Sequence, residues 1–250
     1  MVAVRREELF ESDVQKPYIG GGSLIDSNVV LTAAHKVQRY VNNKNYQLYV
    51  RLGDWDSENA GLIPHVDVNV AEIIIHPGYD NFDLYNNYAL LILEHPVLLS
   101  SRIDTLCLPT GNINSYDISK CVATGWGETR TQAEIANNVQ KESILKWVEL
   151  PLVSHQLCQE QLRSTRLGTG FQLHNSFTCA GGEAGKDTCT GDGGSPLVCP
   201  LLDDPEVFHV IGLVSWGIGC GEAGIPGVYA NINDENVINW ITTTIDNKLA

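Results

Sequence analysis

Leu48, Val50 and Leu52 alternate with Tyr49 and Arg51, and Val66, Val68 and Val70 alternate with Asp67 and Asn69. A period of two turns one set of side chains inward and the other outward, the pattern of a half-buried strand. The runs YALLIL (88–93) and VFHVIGLVSW (207–216) are almost wholly apolar and predict more deeply buried strands. Gly and Pro interrupt at HPG (76–78), GWG (125–127) and IPG (225–227). Many short strands with turns between them can bury their apolar faces only as a sandwich or a barrel. The C-terminus departs from this. In NDENVINWITTTIDNKLA, Val237, Ile238, Ile241 and Ile245 fall on one helical face beside Trp240, with Asn233 or Asp234 placed to cap the start.

A chain of 250 residues suits one large all-β unit or two smaller ones, and 43% hydrophobic residues suffice for a packed core. The polar stretch LCLPTGNINSYDISK (106–120) predicts a linker between an N-terminal half of about 1–105 and a C-terminal half of about 121–250. A formal charge of −14 without any Lys/Arg-rich run argues against nucleic acid and anionic membranes as partners. No apolar run is long enough to cross a bilayer. Seven Cys are present and none forms a C-x-x-C pair, so disulfides are expected, and with them an oxidising, extracellular compartment. An odd count leaves one without an internal partner. The start, MVAVRREELFESD, lacks the apolar core of a signal peptide, so either a leader is removed or the sequence begins inside a longer protein.

Six motifs occur in one order: LTAAH (31–35), YALLIL (88–93), ATGWG (123–127), FTCAGG (177–182), CTGDGGSPLVC (189–199) and VSWGIGCG (214–221), followed by PGVY (226–229). Each is weak alone. Together they resemble the chymotrypsin-like (trypsin-fold) serine proteases over nearly the whole chain. The resemblance implies an all-β fold of two antiparallel six-stranded β-barrels with a C-terminal α-helix.

Catalysis in that family needs a Ser nucleophile, a His that takes its proton, and an Asp that fixes the His tautomer and steadies its charge. The His position is held by His35, the Asp position by Asn87 and the nucleophile position by Gly193. Removing a serine nucleophile costs roughly a millionfold in turnover, and Asp to Asn about ten-thousandfold. Ser195 lies two residues on, roughly 6–7 Å along an extended backbone and too far to substitute. The resemblance therefore implies a pseudo-protease with a vestigial triad.

The family pattern further implies disulfides Cys121–Cys199, Cys158–Cys179 and Cys189–Cys220. A fourth bridge is usual across the His loop, but its ends here are Gly20 and Lys36, so that loop is expected to be looser. Cys107 is left over; the resemblance implies a link to an upstream segment, with a free buried thiol as the alternative. Met1-Val-Ala-Val matches the strand that follows the family's Ile-Val-Gly-Gly activation terminus, which the sequence does not contain. Asp192, the usual partner of that terminus, therefore needs another partner or a proenzyme-like arrangement. Asp187 matches the acid at the base of a pocket for Arg or Lys, with Gly217 and Gly227 as its open walls. Without the activation terminus the pocket is expected to be closed. Asp54, Asp56 and Glu58 stand where some relatives bind calcium, although a solvated acidic turn explains them equally well; no other cofactor is implied.

GDGGSPLVCP and RLGDWD narrow the resemblance to arthropod serine protease homologues of the prophenoloxidase-activating-factor and masquerade type, in which a clip domain precedes the protease-like domain. Asn87 departs from that group, where the Asp is commonly kept. The implied role is a secreted, haemolymph cofactor in prophenoloxidase activation and melanisation. Its implied partners are phenoloxidase or its precursor, the activating protease and, through Cys107, an upstream clip segment. The alternatives are a pattern-recognition or adhesion protein, a decoy for basic protease substrates, and a residual serine hydrolase.

Overall fold

The computed structural model of the chain describes residues 1–8, 17–56, 65–127 and 143–249. Six antiparallel strands build the first unit: β1 (Val2–Glu8), β2 (Tyr18–Asp26), β3 (Val29–Thr32), β4 (Tyr46–Leu52), β5 (Val66–Ile75) and β6 (Ala89–Leu93). Their order, β1-β2-β3-β6-β5-β4, closes on itself because β1 also pairs with β4, Val4 standing opposite Val50. Closure leaves no unpaired edge. The alternating residues Leu48, Val50, Leu52, Val68 and Val70 all pack in the barrel interior.

The apolar run at β6 needs a different account, because both of its faces are covered. Ala89, Leu91 and Leu93 point into the barrel, while Leu90 and Ile92, with the preceding Tyr88, point out of it. The outward set meets Val29 and Leu31 of β3, residues from the second unit and the C-terminal helix in one core. A strand between two cores has no polar side, so its sequence loses the alternation.

The second unit has seven strands: β7 (Val122–Gly125), β8 (Lys146–Glu149), β9 (Leu152–Val153), β10 (Phe177–Ala180), β11 (Pro196–Pro200), β12 (Phe208–Trp216) and β13 (Gly227–Asn231). Their order is β8-β7-β11-β12-β13-β10-β9, and no ladder joins the two ends among the described residues. This differs from the six-stranded closed barrel expected. The edge strands β8 and β9 are consecutive, separated only by Leu150 and Pro151, so the sheet must curl until its ends meet at that corner. Pro151 has no N–H to continue a ladder. Instead its carbonyl accepts from Gly181 N–H (2.9 Å), and Leu150 N–H donates to the Cys121 carbonyl (2.8 Å). Leu150 is buried at the corner with Ala123, Leu197, Ile211 and Tyr229.

Among the described residues three α-helices accompany the strands: α1 (Ala34–Val37), α2 (His155–Arg163) and α3 (Glu235–Leu249). Asp234, one of the two expected caps, accepts from the N–H groups of Asn236 (2.9 Å) and Val237 (3.3 Å) at the start of α3. Val237 and Ile241 are buried, and Trp240 sits edge-on to His76 at 4.8 Å. Disulfides join Cys121 to Cys199, Cys158 to Cys179 and Cys189 to Cys220, stapling β7 to β11, α2 to β10, and two loops of the second unit. Cys107 is a free thiol and is exposed, which removes the buried alternative. Its carbonyl accepts from Val210 N–H (3.0 Å), while Leu106 N–H donates to the Leu24 carbonyl (2.7 Å), so the segment is tied to both units.

Candidate functional site: a cleft between the two units

Three local features bring one residue each to the cleft. At the end of β3 the Thr32 hydroxyl donates to the Gly21 carbonyl (2.7 Å), and α1 begins at once, placing His35 in its first turn. Before β6, Asn86 adopts φ 51°, a left-handed conformation that Asn tolerates. Its amide donates to the Gly78 carbonyl (2.8 Å) and its N–H to the Ser176 hydroxyl (3.1 Å). That turn delivers Asn87 inward, where it is fully buried. Ahead of β11, residues 189–195 form a tight turn in which Asp192 N–H donates to Cys189 O (3.0 Å) and Ser195 N–H to Asp192 O (2.9 Å). Gly193 stands in this turn, and its carbonyl accepts from Gly21 N–H (3.1 Å).

Asn87 decides the protonation of His35. Its Oδ1 accepts from the His35 backbone N–H (2.9 Å), which fixes which way the amide faces. Its Nδ2 then lies 2.8 Å from His35 Nδ1 and donates to the Ser215 hydroxyl at 2.8 Å. An amide nitrogen can only donate, so Nδ1 must accept and the single ring proton must sit on Nε2. A carboxylate at this position would hold the proton on Nδ1 and leave the Nε2 lone pair free to act as a base. Here Nε2 already carries its proton. Burial, reinforced by the neighbouring Lys36 ammonium, pushes the imidazole pKa down to about 4, so the ring is neutral at physiological pH.

Position 193 offers no hydroxyl and no room for one. A Cβ on Gly193 would lie 2.8 Å from His35 Nε2 and 2.8 Å from Lys36 Cε. The side chain of Lys36 occupies this space, and its Cε and Cγ also lie 2.9 and 3.1 Å from where a Cβ on Gly20 would be. The two ends of the absent fourth disulfide therefore still touch, through lysine methylenes packed on a glycine. Ser195 is fully buried, with its Oγ against Gly21 on the first unit. Asp192 has protein partners: Oδ1 accepts from Gly127 N–H (2.8 Å) and Oδ2 from Cys189 N–H (2.9 Å).

The pocket expected to be closed is open. Asp187, Gly217 and Gly227 line a cavity of about 330 Å³ together with His35, Lys36 and Gly193. The loop 185–191 is held by the Cys189–Cys220 bridge and by the bonds of Asp187 and Asp192. Asp187 Oδ1 accepts from Thr188 N–H (2.8 Å) and Oδ2 from Gly221 N–H (3.0 Å). Burial raises its pKa above the usual carboxylate range, while these two backbone donors oppose the rise.

Of the calcium candidates, Glu58 lies outside the described residues. Asp54 Oδ1 accepts from Asp56 N–H (3.1 Å) and its Oδ2 is 3.7 Å from Arg51, while Asp56 accepts from Ser143 Oγ. Among the described residues no three acidic, His or Cys side chains converge as metal ligands.

Sequence reasoning did not anticipate Lys36 as a cleft residue, nor Ser215 as the second partner of Asn87. The first had a signal: Gly20 and Lys36 are substituted together at two ends of one missing bridge. The second had none, because an isolated Ser in an apolar strand reads as packing.

Among the described residues no helix is long and apolar enough to cross a membrane. The trypsin family model matches residues 5–241. Phenoloxidase-activating factor 2 of Galleria mellonella is 44% identical over 93% of this chain and 72% of its own length. The inactive CLIP domain-containing serine protease A3 of Aedes aegypti is 44% identical over 91% of this chain but only 46% of its own length. The corresponding A8 protein of Anopheles gambiae is 36% identical over the whole chain and 65% of its own length. With a closed barrel, a curled second sheet, a C-terminal helix and a cleft lacking a nucleophile, the chain belongs to the trypsin family, as a non-catalytic homologue of the clip-domain serine proteases.

Proposed function

We propose that the chain is a binding component of an extracellular protease cascade, a cofactor that promotes activation of prophenoloxidase without cutting it. The carrying observation is the cleft itself. Gly193 has no nucleophile, and Asn87 turns His35 into a hydrogen-bond donor at the nitrogen where a base is required. What is left is an open, acid-based pocket on a rigid fold, which suits recognition. The name of the Galleria mellonella relative supports the cascade, and the names of the mosquito relatives support inactivity. Three disulfides fit secretion. The exposed Cys107 thiol is the site through which an upstream clip segment would be tethered. The test is reconstitution: prophenoloxidase and its activating protease, with and without this protein, scored by oxidation of a catechol. Addition should raise the phenoloxidase activity, and the His35→Ala variant should raise it equally. No increase, or an increase abolished by His35→Ala, would remove the proposal. The open Asp187 pocket favours a second reading, capture of basic peptide segments as a decoy, which calorimetry with benzamidine and the Asp187→Ala variant would test.

A further inference from the structure

The cleft is lined by groups of opposite charge. One is the Asp187 carboxylate, held by two backbone N–H groups. The others are the Lys36 side chain and the Nε2–H of His35, both beside Gly193. Among the described residues the Lys36 ammonium has no ion-pair partner. Burial and the nearby Arg39 guanidinium lower its pKa, and Asp192, whose carboxylate oxygens are engaged with the N–H groups of Gly127 and Cys189, opposes that fall. The acid calls for a guanidinium or ammonium. A cation and a neutral donor lining the same cavity call for an anion on the same ligand.

The same lysine also limits how a ligand chain can continue. Ser215, Trp216, Gly217 and Gly193 line the same cavity. A peptide held at Asp187 that continues past Gly193 toward Gly20 meets the Lys36 side chain. Over Gly193 and Gly20 the Lys36 methylenes already lie, close enough to exclude even a Cβ.

We propose that this cleft is a receptor for a peptide C-terminus ending in Arg or Lys, the end left by tryptic-type cleavage, and that Lys36 and His35 Nε2–H read its free carboxylate. The proposal rests on the reading that no bond is cut here. It makes the protein a sensor of the cleaved product, with the uncut chain excluded at Lys36. A carboxylate gains a charge-assisted contact with the ammonium that a carboxamide cannot make.

The experiment is fluorescence anisotropy with one peptide sequence in three forms: ending in Arg as the free acid, ending in Arg amide, and extended by several residues beyond the Arg. The free acid should bind about tenfold to a hundredfold more tightly than the amide, the range for loss of a charge-assisted hydrogen bond. The extended peptide should bind most weakly. Lys36→Met should reduce the free acid to the level of the amide, Lys36→Arg should keep the preference, and Asp187→Asn should weaken all three forms. Equal affinity for acid and amide, preference for the extended peptide, or no binding of any form overturns the proposal while leaving the non-catalytic reading standing. Mass spectrometry of the extended peptide after the measurement separates the two: a shortened product would overturn the non-catalytic reading instead. The comparison of the three peptides on the unsubstituted chain decides the matter even if a Lys36 variant fails to fold.

Discussion

The burial of His35 beside Lys36 has a consequence for stability in acid. The folded pKa of His35 is about 4, against 6.5 for a free imidazole. The unfolded chain therefore takes up this proton before the folded one does. Stability from this group is full above pH 6.5, falls as the pH drops from 6.5 toward 4, and is flat below. At 1.36 kcal/mol for each pH decade between the two values, the loss is about 3 kcal/mol from one side chain. His35 is mostly shielded from solvent, so screening does not remove the effect. The assay is urea unfolding at pH 7, 6, 5 and 4, for the wild type and for His35→Asn, which carries no titrating ring; the difference between the two pH slopes isolates His35. Imidazole NMR gives the pKa directly. Asn87→Asp should return the proton to Nδ1 and raise the His35 pKa to about 5–7, as an adjacent carboxylate typically does. A wild-type His35 titrating near 6.5 would refute the burial argument, and an Nδ1-protonated ring would refute the reasoning from the amide orientation.

Other expectations follow from the same geometry. Gly193→Ser should lower stability by about 1–3 kcal/mol in urea unfolding, because His35 Nε2 and Lys36 Cε crowd the new Cβ. It should also give no turnover, because Nε2 still has no lone pair for the new hydroxyl's proton. Leu90→Ala, on the outward face of β6, should cost about 2–5 kcal/mol by opening the core between the units. Replacing Cys121 and Cys199 by Ser should cost about 4.5 kcal/mol and replacing Cys158 and Cys179 about 3.3 kcal/mol, as their separations of 78 and 21 residues imply. Thermal or urea unfolding of the two pairs of variants, compared under oxidising conditions, checks the order.

Much of the fold was legible where burial follows the period of the backbone. The alternation in residues 48–52 and 66–70 gave both strands and, apart from the exposed Val66 at the start of β5, their inward faces, and the helical face at Val237 and Ile241 gave α3. The run at 88–93 announced burial, but its division between two cores depends on which elements pack outside the barrel, and a single strand does not encode that. The open edge of the second sheet was hidden for a similar reason. It turns on the corner at Leu150–Pro151, a two-residue feature whose meaning depends on strands far along the chain. At the site, residue identities were legible and orientations were not. Gly193 and Asn87 could be read from motif positions. That Asn87 points its nitrogen at His35 follows from a backbone N–H that captures its oxygen, and only the folded geometry supplies that. The packing of Lys36 on Gly20 was not legible, because a flexible side chain lying on a glycine leaves no mark in a sequence pattern.

The central claim is that this cleft binds and does not cut. Its most direct test is the turnover of an Arg-containing ester by the purified protein, followed against a buffer blank and against His35→Ala. The account predicts hydrolysis at the blank rate for both proteins at every concentration. Hydrolysis that rises in proportion to the protein and disappears in His35→Ala would contradict it.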